Sequence, residues 1–130
     1  MLVVAEDWCG DSANTIPYLA RLTEEVPGFE LRIVDSKAGR GVMEARRTAD
    51  GRAATPTVVM LDAGGHEVGC LVERPAALKA WVDEHRGRLG DREFQEGRVA
   101  WYRNDRGRST VAEVLAVLEA AAQGAPVGCH

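Results

Sequence analysis

Leu2-Val3-Val4-Ala5-Glu6-Asp7-Trp8-Cys9-Gly10-Asp11-Ser12 is the stretch on which the reading of this 130-residue chain turns. Leu2–Ala5 is an unbroken apolar run bounded by acids, the pattern of a strand buried in mid-sheet. From Asp11 to about Glu25, Ile16, Leu19, Ala20 and Val26 recur at helical spacing, with Thr23 between, and Pro27-Gly28 ends the helix. Cys9 therefore sits where a strand hands over to a helix. The first N–H groups of a helix lack internal partners, and its macrodipole is positive at that end. Both favour a thiolate and lower a thiol from its ordinary value near ~8.5. Glu6, Asp7 and Asp11 are close in sequence and oppose this by like-charge repulsion. The stretch alone predicts a modest net lowering.

Outward from that stretch, Phe29, Leu31 and Ile33 alternate with Glu30, Arg32 and Val34, predicting a half-covered strand. Asp35–Gly41 reads as a loop, Val42–Ala49 as a short helix, and Asp50–Pro56 as another loop. Thr57–Leu61 and Glu67–Val72 read as a hairpin turning at Ala63-Gly64-Gly65. Pro75 suits the first position of a helix, whose apolar face would be Leu78, Trp81, Val82 and His85. The order is β-α-β-α-β-β-α, with a right-handed crossover between the first two strands. It predicts an α/β fold with a four-stranded mixed sheet, order 2-1-3-4, flanked by helices.

After a linker at Gly87–Gly90, Asp91–Asn104 reads as a helix carrying Phe94, Trp101 and Tyr102, and Asp105–Ser109 as a turn. Thr110 and Glu113 form a capping box. It opens a helix whose Val111, Val114, Leu115, Leu118 and Ala121 share one face, expected to pack on the core or on a second subunit. The division is a core at 1–86, a helical extension at 87–123 and a disordered tail at 124–130.

Trp8-Cys9-Gly10-Asp11-Ser12 resembles the WCGxx site of the thioredoxin superfamily, in particular bacterial thioredoxin-like proteins with an EDWCGD stretch. Pro17, eight residues after Cys9, matches that family's helix-kinking Pro. Ala54-Thr55-Pro56-Thr57 matches the segment that carries its cis-Pro before a central strand. The resemblance covers residues 2–86 and implies a three-layer thioredoxin-like fold, with Thr55-Pro56 offering a backbone edge to a substrate beside Cys9. It assigns Cys9 as nucleophile and Ser12 as a hydrogen-bond donor to its thiolate. Trp8, Gly10, Asp11, Thr55, Pro56 and Glu73 become substrate-side residues. Thioredoxins usually carry Pro where this chain has Asp11, a buried Asp where it has Val3, and a second Cys where it has Ser12. They also begin with an extra strand and helix, so the chain is expected to be natively short or to have lost its start.

Ser12 decides the reaction type. A dithiol site reduces a disulfide by attack followed by release through its second thiolate. A hydroxyl cannot perform the second step, although Ser12 can donate to the Cys9 thiolate or cap the helix. The expectation is a monothiol site forming mixed disulfides with protein or low-molecular-weight thiols. The alternatives are a redox-inactive adaptor of the same fold and a monothiol glutaredoxin-like iron–sulfur carrier. Cys9-Gly10-Asp11-Ser12 differs from the CGFS motif at one position, but no glutathione-binding Lys precedes Cys9 and Trp8 is thioredoxin-like.

Composition narrows the partners. A net charge of −4 argues against nucleic acid, and no apolar run reaches the length of a membrane span. No signal peptide is recognisable. The three Cys are widely spaced and do not read as a disulfide framework, which suggests a reduced, cytoplasmic protein. Cys70 is expected to pack in the sheet, and Cys129 to lie in a tail from which it could reach Cys9. Cys129-His130 is too little for a metal site, and no cofactor is implied. His66 and His85 read as surface residues. Arg98, Arg103, Arg106 and Arg108 offer an anion site or a solvated face paired with Asp105 and Glu96.

Overall fold

The computed structural model describes residues 1–129. In chain order the elements are β1 (Leu2–Val4), α1 (Gly10–Glu25), β2 (Arg32–Val34), α2 (Arg40–Glu44), β3 (Thr57–Leu61), β4 (Glu67–Val72), α3 (Ala76–His85), α4 (Asp91–Asp105) and α5 (Arg108–Ala122). The strands form one mixed sheet in the order β2-β1-β3-β4. β1 runs parallel to β2, with Val3 opposite Ile33, and antiparallel to β3, with Val3 opposite Val58. β3 and β4 pair antiparallel, Val58 opposite Leu71. This is the four-stranded mixed sheet that the sequence predicts.

The two-residue period of the strands splits the interior into two layers. Val3, Val58, Met60 and Leu71 face one side, where Leu19 of α1 and Val114 and Val117 of α5 close over them. Val59, Cys70 and Val72 face the other, with Leu2 and Val42 of α2 against them. A third cluster, Leu78, Val82 and Tyr102 with Trp81, Phe94 and Trp101 around it, joins α3 to α4.

Several elements differ from the sequence reading. β2 has only three residues, and Ile33, expected on a covered face, is 51 % exposed. β2 is an edge strand, and of its expected apolar face Leu31 is the residue packed on the core. α2 begins and ends early, because Thr48 bonds to Arg52 through backbone and hydroxyl and turns the chain there. Pro75 is the residue before α3 rather than its first, and Trp81 and His85 are half-buried and stacked on each other.

α5 begins at Arg108 and buries Thr110, Val114 and Val117, while Leu115 turns outward. Val117 sits over Gly69 of β4, where any side chain would overlap it, and that close approach fixes the rotation of the helix. The capping box does not form. Gly107, at a φ of 73°, precedes the helix, and Glu113 instead accepts the Ala76 N–H at 2.7 Å, closing the first turn of α3.

The segment after α5, expected to be disordered, returns to the sheet. The Cys70 N–H donates to the Gly128 carbonyl at 3.1 Å, and Cys129 forms a disulfide with Cys70. This corrects the reading of three unpaired thiols: the fold closes a separation of 59 residues that spacing could not reveal. His130 lies outside the described residues. Among the described residues, no helix is long and apolar enough to cross a membrane.

Candidate functional site around Cys9

Cys9 is the residue immediately before α1, in extended conformation, and its side chain does not cap the helix. It is half-buried and is the free thiol. β1 delivers it: Val3 and Val4 are fully buried, so the loop Ala5–Trp8 emerges from the middle of the sheet. Ala5 is still tied to the sheet through the Val34 carbonyl, and the Cys9 N–H returns to the Glu6 carbonyl at 3.2 Å. The Glu6 carboxylate accepts from both the backbone N–H and the hydroxyl of Ser36, which pins the loop to the residues after β2.

The Thr55–Pro56 peptide bond is cis. It brings the Thr55 carbonyl to 3.4 Å from the Cys9 sulfur, which donates to it as a thiol. Four influences act on ionisation of that thiol besides its partial burial. Burial raises it. The Thr55 side chain, the Ser12 N–H and hydroxyl and the Asp11 N–H lower it, and the net result is a pKa below the ordinary value. Ser12 is buried in the first turn of α1, and its hydroxyl oxygen also accepts the Glu6 N–H at 3.4 Å. Its position inside the helix excludes the capping role.

Pro56 is fully buried, and its carbonyl accepts the Glu73 N–H at 2.8 Å. Glu73 adopts a φ of 68°, rare for a residue with a side chain. It supports the Pro56 loop, but its carboxylate turns to Arg52 and Arg74, both at 2.9 Å. Trp8 is 76 % exposed beside the thiol. Gly10 is the first residue of α1, and a Cβ there would lie 3.6 Å from the Arg98 guanidinium.

Asp11 corrects the sequence reading. Expected to add unopposed negative charge, it is buried and paired: Arg74 lies at 3.0 Å and Arg98 at 3.4 Å, and the Tyr102 hydroxyl donates to it at 2.7 Å. These three partners are the residues that sequence reasoning missed. They stand 63, 87 and 91 positions away, beyond any local spacing rule. The signal in the sequence is weak: Tyr102 shows there as an aromatic of α4 and Arg98 as one of an arginine set, and Arg98 pairs with Asp11 and Gln95 rather than with Asp105 or Glu96.

The structure thus gathers Cys9, Ser12, Thr55 and Pro56 about one sulfur, sets Gly10 and Asp11 in the helix turn below it, and leaves Trp8 on the rim. Glu73 is linked through the Pro56 backbone only. The other sulfurs make a separate centre. Glu67, Cys70 and Cys129 bring ligand atoms within 4.8 Å of one another. The two sulfurs are bonded to each other, which leaves neither as the thiolate a metal would need, and Glu67 is bound by Arg46.

A strand delivering a thiol to a helix start, opposite a cis-Pro loop, defines a thioredoxin-like domain. Accordingly, the family model described as Thioredoxin matches residues 1–86, and the chain belongs to that family. A search of curated proteins found no match. Among solved structures, a protein of unknown function from Pseudomonas aeruginosa is similar over 92 % of this chain and 64 % of its own, with 24 % identity and a TM-score of 0.69. An HIV epitope-scaffold is similar over 91 % of this chain and 64 % of its own, with 26 % identity and a TM-score of 0.66. The chain spans 64 % of the length of both.

Proposed function

We propose that the protein performs monothiol exchange chemistry: Cys9 forms mixed disulfides with protein or low-molecular-weight thiols. The observation that carries this reading is the position of Cys9, half-buried before α1, with its sulfur 3.4 Å from the Thr55 carbonyl at the cis Thr55–Pro56 bond. In the reaction the Cys9 thiolate attacks one sulfur of a disulfide. A new sulfur–sulfur bond forms, the old one breaks, and the departing thiolate takes a proton from water. Release requires a second thiol from solution, because Ser12 occupies the position from which a resolving Cys would act. The half-buried Thr55 backbone beside the sulfur supports recognition of an extended segment by main-chain hydrogen bonds.

The test is to react the protein with a mixed pool of disulfide substrates and identify adducts by mass spectrometry. Adducts on Cys9 that vanish in Cys9→Ser support the reading, and a Cys9 thiol that alkylates no faster than a free model thiol overturns it. The absence of a resolving thiol within the site favours one competing reading, a binding protein of the same fold that does not turn over. It predicts partner capture that survives Cys9→Ser.

A further inference from the structure

Asp11 is in an unusual state for an acid in the first turn of a helix. Acids there ordinarily face water and interact with the dipole. This one is 4 % exposed and is held by three side chains from outside its helix. Arg74 comes from the segment after β4 and shares itself with Glu73. Arg98 and Tyr102 come from α4, one turn apart on the same face, with Gln95 bonding the other arm of Arg98 at 2.6 Å. Burial first, and then the charge and hydrogen bond of Asp11, push the Tyr102 hydroxyl far above its ordinary range, so it remains a donor. α4 lies beyond the residues matched by the family model.

We propose that α4 is part of the thiol site: Arg98 and Tyr102 are positioning residues that offset the Asp11 charge two residues from Cys9 and hold the first turn of α1 behind it. The inference rests on the reading of Cys9 as a reactive thiolate and adds what maintains it. An unpaired carboxylate two residues from the thiol would repel a thiolate, and a loosened first turn would weaken the helix start whose dipole favours it. The remaining charged groups beside Cys9 are Glu6, already bonded to Ser36, and Asp7 in the loop before the thiol.

The test is the rate of Cys9 alkylation by iodoacetamide against pH, read per site by mass spectrometry on the full chain. Arg98→Gln should raise the midpoint and slow the reaction at neutral pH about threefold. Adding Tyr102→Phe should bring the loss to about tenfold, the effect of one pH unit in the midpoint. Arg98→Lys should recover most of the rate, and Arg92→Ala, on the exposed face of α4, should change nothing. Near-ultraviolet circular dichroism reports whether each variant is folded. If the double variant does not fold, Arg98→Gln alone decides, since that side chain reaches the surface. A folded variant whose profile overlays a low-midpoint wild type overturns the role of α4 and leaves the thiolate reading standing. An ordinary thiol midpoint in the wild type overturns both.

Discussion

The molecule holds two sulfur centres that differ in everything except the element. Cys9 stands alone at a helix start, half-buried, with the carbonyl of a cis-Pro loop 3.4 Å from its sulfur. Cys70 is fully buried in β4 and is bonded to Cys129 from the far end of the chain. The first is the centre for which we propose bond exchange; the second holds a terminal segment to the sheet. Surroundings, and not the number of thiols, assign each sulfur its chemistry.

The largest effect should come from removing the first centre. Cys9→Ser is expected to abolish both adduct formation and fast alkylation, whereas Cys129→Ser should leave the reactivity of Cys9 within about twofold. Site-resolved alkylation checks both, and equal losses would erase the distinction between the centres.

Next in size is a gain. Residues three apart at a helix start lie side by side. Ser12→Cys should therefore form a disulfide with Cys9 and turn a stalled exchange into dithiothreitol-driven insulin reduction, followed by turbidity. Val3, standing where thioredoxins carry a buried Asp, should keep that rate below a full dithiol enzyme. A variant that forms no disulfide would mean that the geometry around Cys9 is a relic of fold and not of chemistry.

For the second centre the expected effect is on stability. A bond closing a separation of 59 residues contributes on the order of 2–4 kcal/mol, chiefly by restricting the unfolded chain. Cys129→Ser should lower the denaturation midpoint in urea accordingly under oxidising conditions. In excess reductant the difference between variant and wild type should close.

The smallest effect concerns the loop that presents Cys9. The Ser36 hydroxyl and then its N–H hold the Glu6 carboxylate below its usual range. A depressed folded-state value means that this contribution is present above the ordinary carboxylate pKa near ~4.3 and is lost as pH falls through the folded value. Ser36→Ala should therefore lower Tm slightly at neutral pH, and the difference from wild type should shrink in acid. A constant difference across pH would separate the loop's stability from Glu6.

The sheet was legible because its strands carry two-residue periodicity and turn punctuation: β3 and β4 have the bounds their residues suggest, Thr57–Leu61 and Glu67–Val72. The edge strand was less so. Ile33 alternates correctly but stays half exposed, and alternation cannot say how far a face is covered. α5 shows the same limit, since Val111, Val114, Leu115, Val117 and Leu118 offer too wide an apolar arc to choose a rotation, which Gly69 settles from another element. Around Cys9, the thiol at the helix start and the cis-Pro loop could be read from local motifs. The pairings Asp11–Tyr102 and Cys70–Cys129 could not, because only the folded chain brings such distant positions together.

The return of the chain to β4 also bears on how this protein behaves in crowded solution. A sheet ends in strands whose outer N–H and C=O groups can recruit another chain. Here one border is the three-residue β2, too short to template much pairing, and along the other Gly128 accepts the outward N–H of Cys70 while the disulfide keeps it there. The disulfide thus keeps a single bridge of cover over the middle of the longer border. A reduced population, with that strip free to lift, should self-associate at lower protein concentration than an oxidised one.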